Sequence, residues 1–320
     1  MRQIAHCLYN DRVSLNPYIH SSSTRLKADL ILLLVAVIWG SAFAAQRVAA
    51  MHMGTYLFNG VRFLLGALVL LPLALRRPTA NPFGKYTSQE SPNTVMGMLL
   101  AGLLLFGGTS LQQLGLEYTT AGNAGFITGL YVVLVPLILA VGWRRPPRPL
   151  VWVAAGMATI GLFLLSTGGS FSLAIGDALE LAGAFLWAFH VLLIGWLAQR
   201  AHILRLAVAQ YVVCGALSLA ASLLVETHHF AGLSSAWWTV IYTGVLSIGL
   251  GYTLQAVGQR VAPPADAAIL LSLEAVFAAL AGWLVLDERL SAVQLLGCGL
   301  MLAGMLLAQT PSVFAARHAR

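Results

Sequence analysis

The chain has 320 residues, of which 59% are hydrophobic and 9% charged, against roughly 25% charged residues in an ordinary soluble domain. That balance excludes a soluble globular protein, and continuous rather than alternating apolar runs exclude a membrane β-barrel. The formal net charge of +7 invites a nucleic-acid partner, but the basic residues gather in short connections between apolar runs, so the excess reads as membrane topology and no nucleic acid is expected.

Residues 1–27 are polar and lack the apolar stretch of a signal peptide, so they read as a cytoplasmic lead. Ten apolar segments follow, most near the roughly 20 residues that cross a bilayer core. They are 28–50, 54–75, 94–117, 119–142, 149–168, 175–197, 203–225, 236–257, 264–286 and 290–310, with 311–320 as a cytoplasmic tail. Turn-forming or charged stretches separate them, such as Arg76-Arg77-Pro78, Arg144-Arg145-Pro146-Pro147 and Ala262-Pro263-Pro264. The least marked boundary is Glu117-Tyr118-Thr119-Thr120, between the third and fourth segments. With the N-terminus inside, nearly all Arg and Lys fall on one face. The positive-inside rule then puts both termini in the cytoplasm, and the protein is expected in the cell (inner) membrane. Asp177, Glu226, Asp287 and Glu288 read as exposed external acids. Cys7, Cys214 and Cys298 form no spaced pair, which predicts neither a disulfide framework nor a metal site.

Residues 107–165 align without a gap on 250–308 at a constant offset of 143. Gly108, Gln112, Gly115, Leu130, Gly156 and Gly161 recur as Gly251, Gln255, Gly258, Leu273, Gly299 and Gly304. The first helices correspond more loosely, Asp29 and Trp39 matching Asp177 and Trp187. Residues 28–168 and 175–310 are thus two five-helix repeats. An odd number of spans per copy turns the second upside down, the arrangement of many secondary transporters. The fold expected is an all-α polytopic membrane protein with ten transmembrane helices in two inverted-topology repeats. The recurring glycines allow close packing of spans five and ten and, less directly, a homodimer.

Ile38-Trp39-Gly40-Ser41-Ala42-Phe43, Arg62-Phe63-Leu64 and Phe126-Ile127-Thr128-Gly129-Leu130-Tyr131 appear in order along the first half. Leu271-Ser272-Leu273-Glu274-Ala275-Val276 and Leu286-Asp287-Glu288-Arg289-Leu290-Ser291 follow in the second. In these motifs the chain resembles EamA-type permeases of the drug/metabolite transporter superfamily, over about 28–310. Two positions depart from the pattern. Ala275 stands where the family often has Pro, so a kink there lacks its usual cause. Asp287 replaces a common glycine. The resemblance implies that spans four and nine line a central cavity.

Polar groups at membrane depth are costly and mark a pathway by default. Arg62 keeps its charge at any working pH; it is a candidate clamp for a substrate carboxylate, or a structural partner of Glu274. Glu274, near the middle of span nine, is the first candidate for proton coupling. Its repeat mate is Tyr131, expected at comparable depth. Gln112 and Gln255 are mated amides that either bond between helices or hold a zwitterion. Trp187 and His190 share a helix face, with Trp39 as the mate of Trp187; His190 is the second proton-coupling candidate. Gln210 and Tyr211 are secondary candidates. Asn123 and Asp266 read as helix caps.

No phosphate-binding loop, zinc motif or nucleophile elbow is present, so neither an enzyme nor a cofactor is expected. The reading is a secondary transporter of amino acids or related small metabolites by alternating access, and the resemblance implies an exporter. Its partners would be the solute and membrane lipid. The alternative is efflux of lipophilic cationic drugs or flipping of a lipid-linked group.

Overall fold

A computed structural model of the protein describes residues 22–75, 91–118, 121–167, 175–226, 232–286 and 290–309. All regular structure among them is helical. In chain order the helices are α1 (Ser22–Ala50), α2 (Thr55–Ala74), α3 (Pro92–Tyr118), α4 (Ala121–Gly129), α5 (Tyr131–Val141), α6 (Pro149–Thr167) and α7 (Ile175–Leu197). Then come α8 (Ile203–Val225), α9 (Leu233–Ile241), a π-helix (Tyr242–Tyr252), α10 (Thr253–Gly258), α11 (Pro264–Leu271), α12 (Glu274–Leu286) and α13 (Ala292–Gln309).

Joined where the chain runs on, these pieces make ten apolar segments at the ten expected places. Seven of them are long and apolar enough to cross a bilayer; the three shorter ones are Phe126–Val141, Pro149–Leu165 and Ala292–Ala308. The first helix starts before residue 28, so Arg25 and Lys27 are already helical. Leucines such as Leu68, Leu224 and Leu296 point outward and exposed, whereas Arg62, Glu180, His190 and Gln210 are buried. Apolar outside and polar inside is the packing that a lipid solvent selects.

Two interruptions shape the interior. Only Leu130 separates α4 from α5, and Ser272-Leu273 separates α11 from α12. Both turns are tightened by i→i−3 bonds: Leu130 N donates to Ile127 O at 3.1 Å and Leu273 N to Leu270 O at 3.2 Å. The second break needs no proline at position 275, because the Ser272 hydroxyl donates to Ile269 O at 2.9 Å and competes with the backbone ladder. Tyr131 and Glu274 are the first residues after the two breaks.

The wider π-helix presents carbonyls to side chains. Ser247 O accepts from Trp39 Nε1 at 3.1 Å and Ile248 O from the Tyr211 hydroxyl at 2.8 Å. Trp39 and its mate Trp187 each rest on a glycine of the other half of the chain. A Cβ on Gly251 would lie 2.6 Å from Trp39 Nε1, and one on Gly108 would lie 3.1 Å from Trp187 Cε2. Close approach, not turn geometry, is what these two glycines provide. Of the other repeated glycines, Gly161 meets Gly297 O and Gly304 meets Ala154 O between α6 and α13, but Gly156 and Gly299 face open space.

Three acids are not where sequence reasoning put them. Asp177 is buried. Glu226 accepts from Tyr56 N at 2.7 Å and Leu57 N at 3.0 Å, capping α2 from the end of α8; its charge suits the positive end of that helix. Asp266 lies in the first turn of α11 but makes no capping bond. It instead receives Arg25 at 2.9 Å and Arg148 at 3.2 Å. Two like-placed cations outcompete a local N–H for a carboxylate. Asp287, Glu288 and the side chain of Asn123 lie outside the described residues.

Gly251→Ala is expected to lower the unfolding midpoint in detergent, at a cost of about 1–3 kcal/mol from forced contact with Trp39. Gly156→Ala should leave it unchanged or raise it by up to about 1 kcal/mol, as for any exposed helical glycine.

Candidate functional site

Eight of the residues singled out from the sequence line one cavity at the centre of the helices: Trp39, Arg62, Gln112, Tyr131, Trp187, His190, Gln255 and Glu274. The space between these residues is about 600 Å³, counted out into its open mouth.

Arg62, on α2, is 3% exposed and does not reach outward to water. Its Nη1 donates to Gln46 Oε1 at 2.9 Å and its Nη2 to Asn59 Oδ1 at 2.7 Å. The guanidinium also lies over the rings of Phe58 and Phe63, 4.6 and 5.5 Å from their centroids. No carboxylate pairs with it among the described residues. It is therefore not the fixed partner of Glu274. Neutral oxygens and π-faces hold the cation in place while leaving its charge uncompensated, and its Nε has no hydrogen-bond partner among them.

Glu274 bonds instead to its repeat mate, the Tyr131 hydroxyl donating to Oε1 at 3.2 Å. The two helix breaks thus aim a phenol and a carboxyl at one another. Trp39 and Trp187 are both wall residues, with the Tyr252 ring between them: 4.6 Å from Trp39, and stacked within 17° of Trp187 at 6.2 Å. His190 meets Trp187 and Tyr252 edge-on, each at 5.9 Å. Its Nε2 is bonded to Gln210 Oε1 at 2.9 Å, but its Nδ1 has no partner among the described residues.

Neither mated amide makes an interhelical bond among the described residues. Gln255 Oε1 is buried and unpaired. The interhelical work falls to other glutamines: Gln113 Nε2 donates to Gln46 O, and Gln259 Nε2 to Val191 O. Gln210 and Tyr211 are buried behind the wall, where they support His190 and the π-helix.

The sequence reading passed over Gln46, Thr128, Ser247 and Tyr252 on the wall, and Asn59 and Glu180 behind it. Asn59 stands three residues before Arg62, on the same helix face, and could have been found from that spacing. Glu180 is an acid inside an apolar run, the signal that had drawn attention to Glu274. Tyr252 is the mate of Thr109, so comparing repeats does not reveal it.

One end of the bundle is held by ions. Arg25 bridges Asp29 and Asp266, while Arg148 bridges Asp266 and the carbonyl of Ala308. Helices from both halves of the chain meet in that cluster.

A helical membrane protein whose central cavity combines aromatic walls with unpaired donors and acceptors belongs to the solute transporters by architecture. The chain is a member of the EamA-like transporter family, which matches residues 26–167 and again 174–310. It is 32% identical to an uncharacterized transporter of Archaeoglobus fulgidus over 283 residues, 88% of this chain and 86% of that one. It is 30% identical to the threonine/homoserine exporter RhtA of Escherichia coli K12 over 288 residues, 86% and 88% of the two chains. A protein of known crystal structure, 20% identical, superposes with a TM-score of 0.74 over 88% of this chain and 98% of its own.

A double-mutant cycle of Tyr131→Phe and Glu274→Ala, read by unfolding in detergent, should give a coupling of about 0.5–1.5 kcal/mol, the range of a hydrogen bond in place. Strictly additive effects would place the two groups out of contact.

Proposed function

We propose that the protein is a secondary transporter, working as an exporter of amino acids or closely related small metabolites. The observation that carries this reading is the cavity wall, where an uncompensated guanidinium and an unpaired amide oxygen sit among stacked aromatic rings. Arg62 would receive a solute carboxylate, Gln112 and Gln255 its polar backbone, and Trp39, Tyr131 and Trp187 its apolar part. Glu274, with His190, would exchange protons with the cavity. The similarity to a threonine/homoserine exporter supports the solute class.

Movement would be alternating access between two inverted five-helix repeats, 28–168 and 175–310, in the inner membrane with both termini cytoplasmic. This is supported by the doubled family match, by the paired helix breaks before Tyr131 and Glu274, and by the reciprocal tryptophan–glycine contacts. The ion cluster around Asp266 would be the closed gate of this state. Lipid and solute are the partners proposed; Gly156 and Gly299 leave an open helix face for a second copy.

Glu274, which has no cationic partner among the described residues, favours a second reading, efflux of a lipophilic cation. Proteoliposomes separate the two. On the first reading they release L-threonine, and Arg62→Lys cuts the rate tenfold or more, about 1.4 kcal/mol, while Glu274→Gln removes its dependence on pH. Release of tetraphenylphosphonium but not threonine, lost in Glu274→Gln, would establish the second reading instead.

A further inference from the structure

Glu180, on α7, is fully buried. The Thr128 hydroxyl donates to its Oε2 at 2.7 Å, while Oε1 has no partner among the described residues. The carboxyl lies over Gly115, where a Cβ would come 2.5 Å from Oε1. The repeat supplies an internal control for this arrangement. The mates of Glu180, Thr128 and Gly115 are Leu32, Leu271 and Gly258. There the same hole over a glycine is filled by the isobutyl group of Leu32, and Leu271 is likewise buried. Apolar side chains therefore satisfy this packing in one copy, whereas the other copy carries a carboxyl and a hydroxyl. An ionised carboxylate with no cation beside it is costly to bury, and no Arg, Lys or His pairs with Glu180 among the described residues. Ionised, Glu180 would have no compensating charge among the described residues.

Thr128 is also a wall residue of the central cavity. Three residues on, across the break between α4 and α5, stands Tyr131, whose hydroxyl reaches Glu274. One short stretch of chain thus donates two hydroxyls to two buried carboxyls. Other titratable groups on the surrounding helices are few. Glu117 on α3 accepts from Thr55, Asp266 on α11 is held by Arg25 and Arg148, and His190 is bonded to Gln210. Asp177 stands one turn earlier on α7.

We propose that Glu180 is a second proton-binding site, reached from the cavity past the Thr128 hydroxyl and tied to Glu274 through the α4–α5 junction. Each carboxylate takes up one proton and returns it, and only O–H bonds are made or broken. Because both hydroxyls ride on the same junction, a shift of that junction alters both sites together. The proposal rests on the transporter reading, as it gives the cavity a proton path.

Infrared difference spectroscopy of the reconstituted protein, titrated over the pH range in which it stays folded, tests this. The protonated-carboxyl band should contain two titrating components, one lost in Glu180→Gln and the other in Glu274→Gln. Thr128→Val should shift the first in frequency, and Glu274→Gln should shift its midpoint. A band that Glu180→Gln and Thr128→Val leave unchanged would overturn the proposal. No transported solute is needed here: absent threonine flux with a titrating Glu180 counts against the transporter reading alone, and threonine flux with a silent Glu180 against this proposal alone.

Discussion

The contact on which the interior depends is the Tyr131 hydroxyl donating to Glu274. It joins the two halves of the chain at the point where both are interrupted, and the interruptions are what make it possible. A continuous helix would carry residues 131 and 274 on past one another along regular ladders. A single tightened turn at Leu130 and another at Ser272-Leu273 redirect them inward. In a lipid solvent such irregular backbone is tolerated only where protein or a cavity surrounds it, so the breaks and the cavity require each other.

Around that junction some polar groups tie helices together and others line the cavity. Nε2 of Gln113 and of Gln259 and the Tyr211 hydroxyl donate to backbone carbonyls of neighbouring helices and hold the bundle. Arg62, His190, Trp187 and Gln255 each keep one buried polar atom unpaired among the described residues, on the wall of a single cavity. Buried groups normally find partners inside the protein. Four such exceptions share one space, although buried polar atoms away from it, such as Gln113 Oε1, Gln259 Oε1 and Ser218 Oγ, are unpaired among the described residues as well. The aromatic stack around Tyr252 keeps that space apolar between the polar groups.

Much of this was legible in the sequence because membrane depth makes polar residues conspicuous. Ten apolar runs mapped onto ten helical segments, and eight of the residues picked for polarity, aromaticity or repeat position came together on one wall. Pairing was harder to read. Arg62 could be located but not its reliance on Gln46 and Asn59, since neutral oxygens carry no charge pattern to search for. Asp266 and Glu226 looked like a cap and an exposed acid because their partners, Arg25, Arg148 and the first turn of α2, lie far away in the chain. Glu180 was hidden by its neighbour Asp177, which invites a reading of the whole turn as an aqueous end. The π-helix left no mark at all: Tyr242–Tyr252 is an ordinary apolar run, and its widening shows only in the carbonyls that Trp39 and Tyr211 reach.

On the proposed exporter reading, the ions around Asp266 close the cavity at one end and movement of the two halves opens it. Spin labels at exposed positions, Leu26 with Leu306 at that end and Met51 with Ile175 at the other, report the movement directly by pulsed electron resonance. Asp266→Asn is predicted to lengthen the first distance and shorten the second. Distances unchanged at both ends would contradict the account.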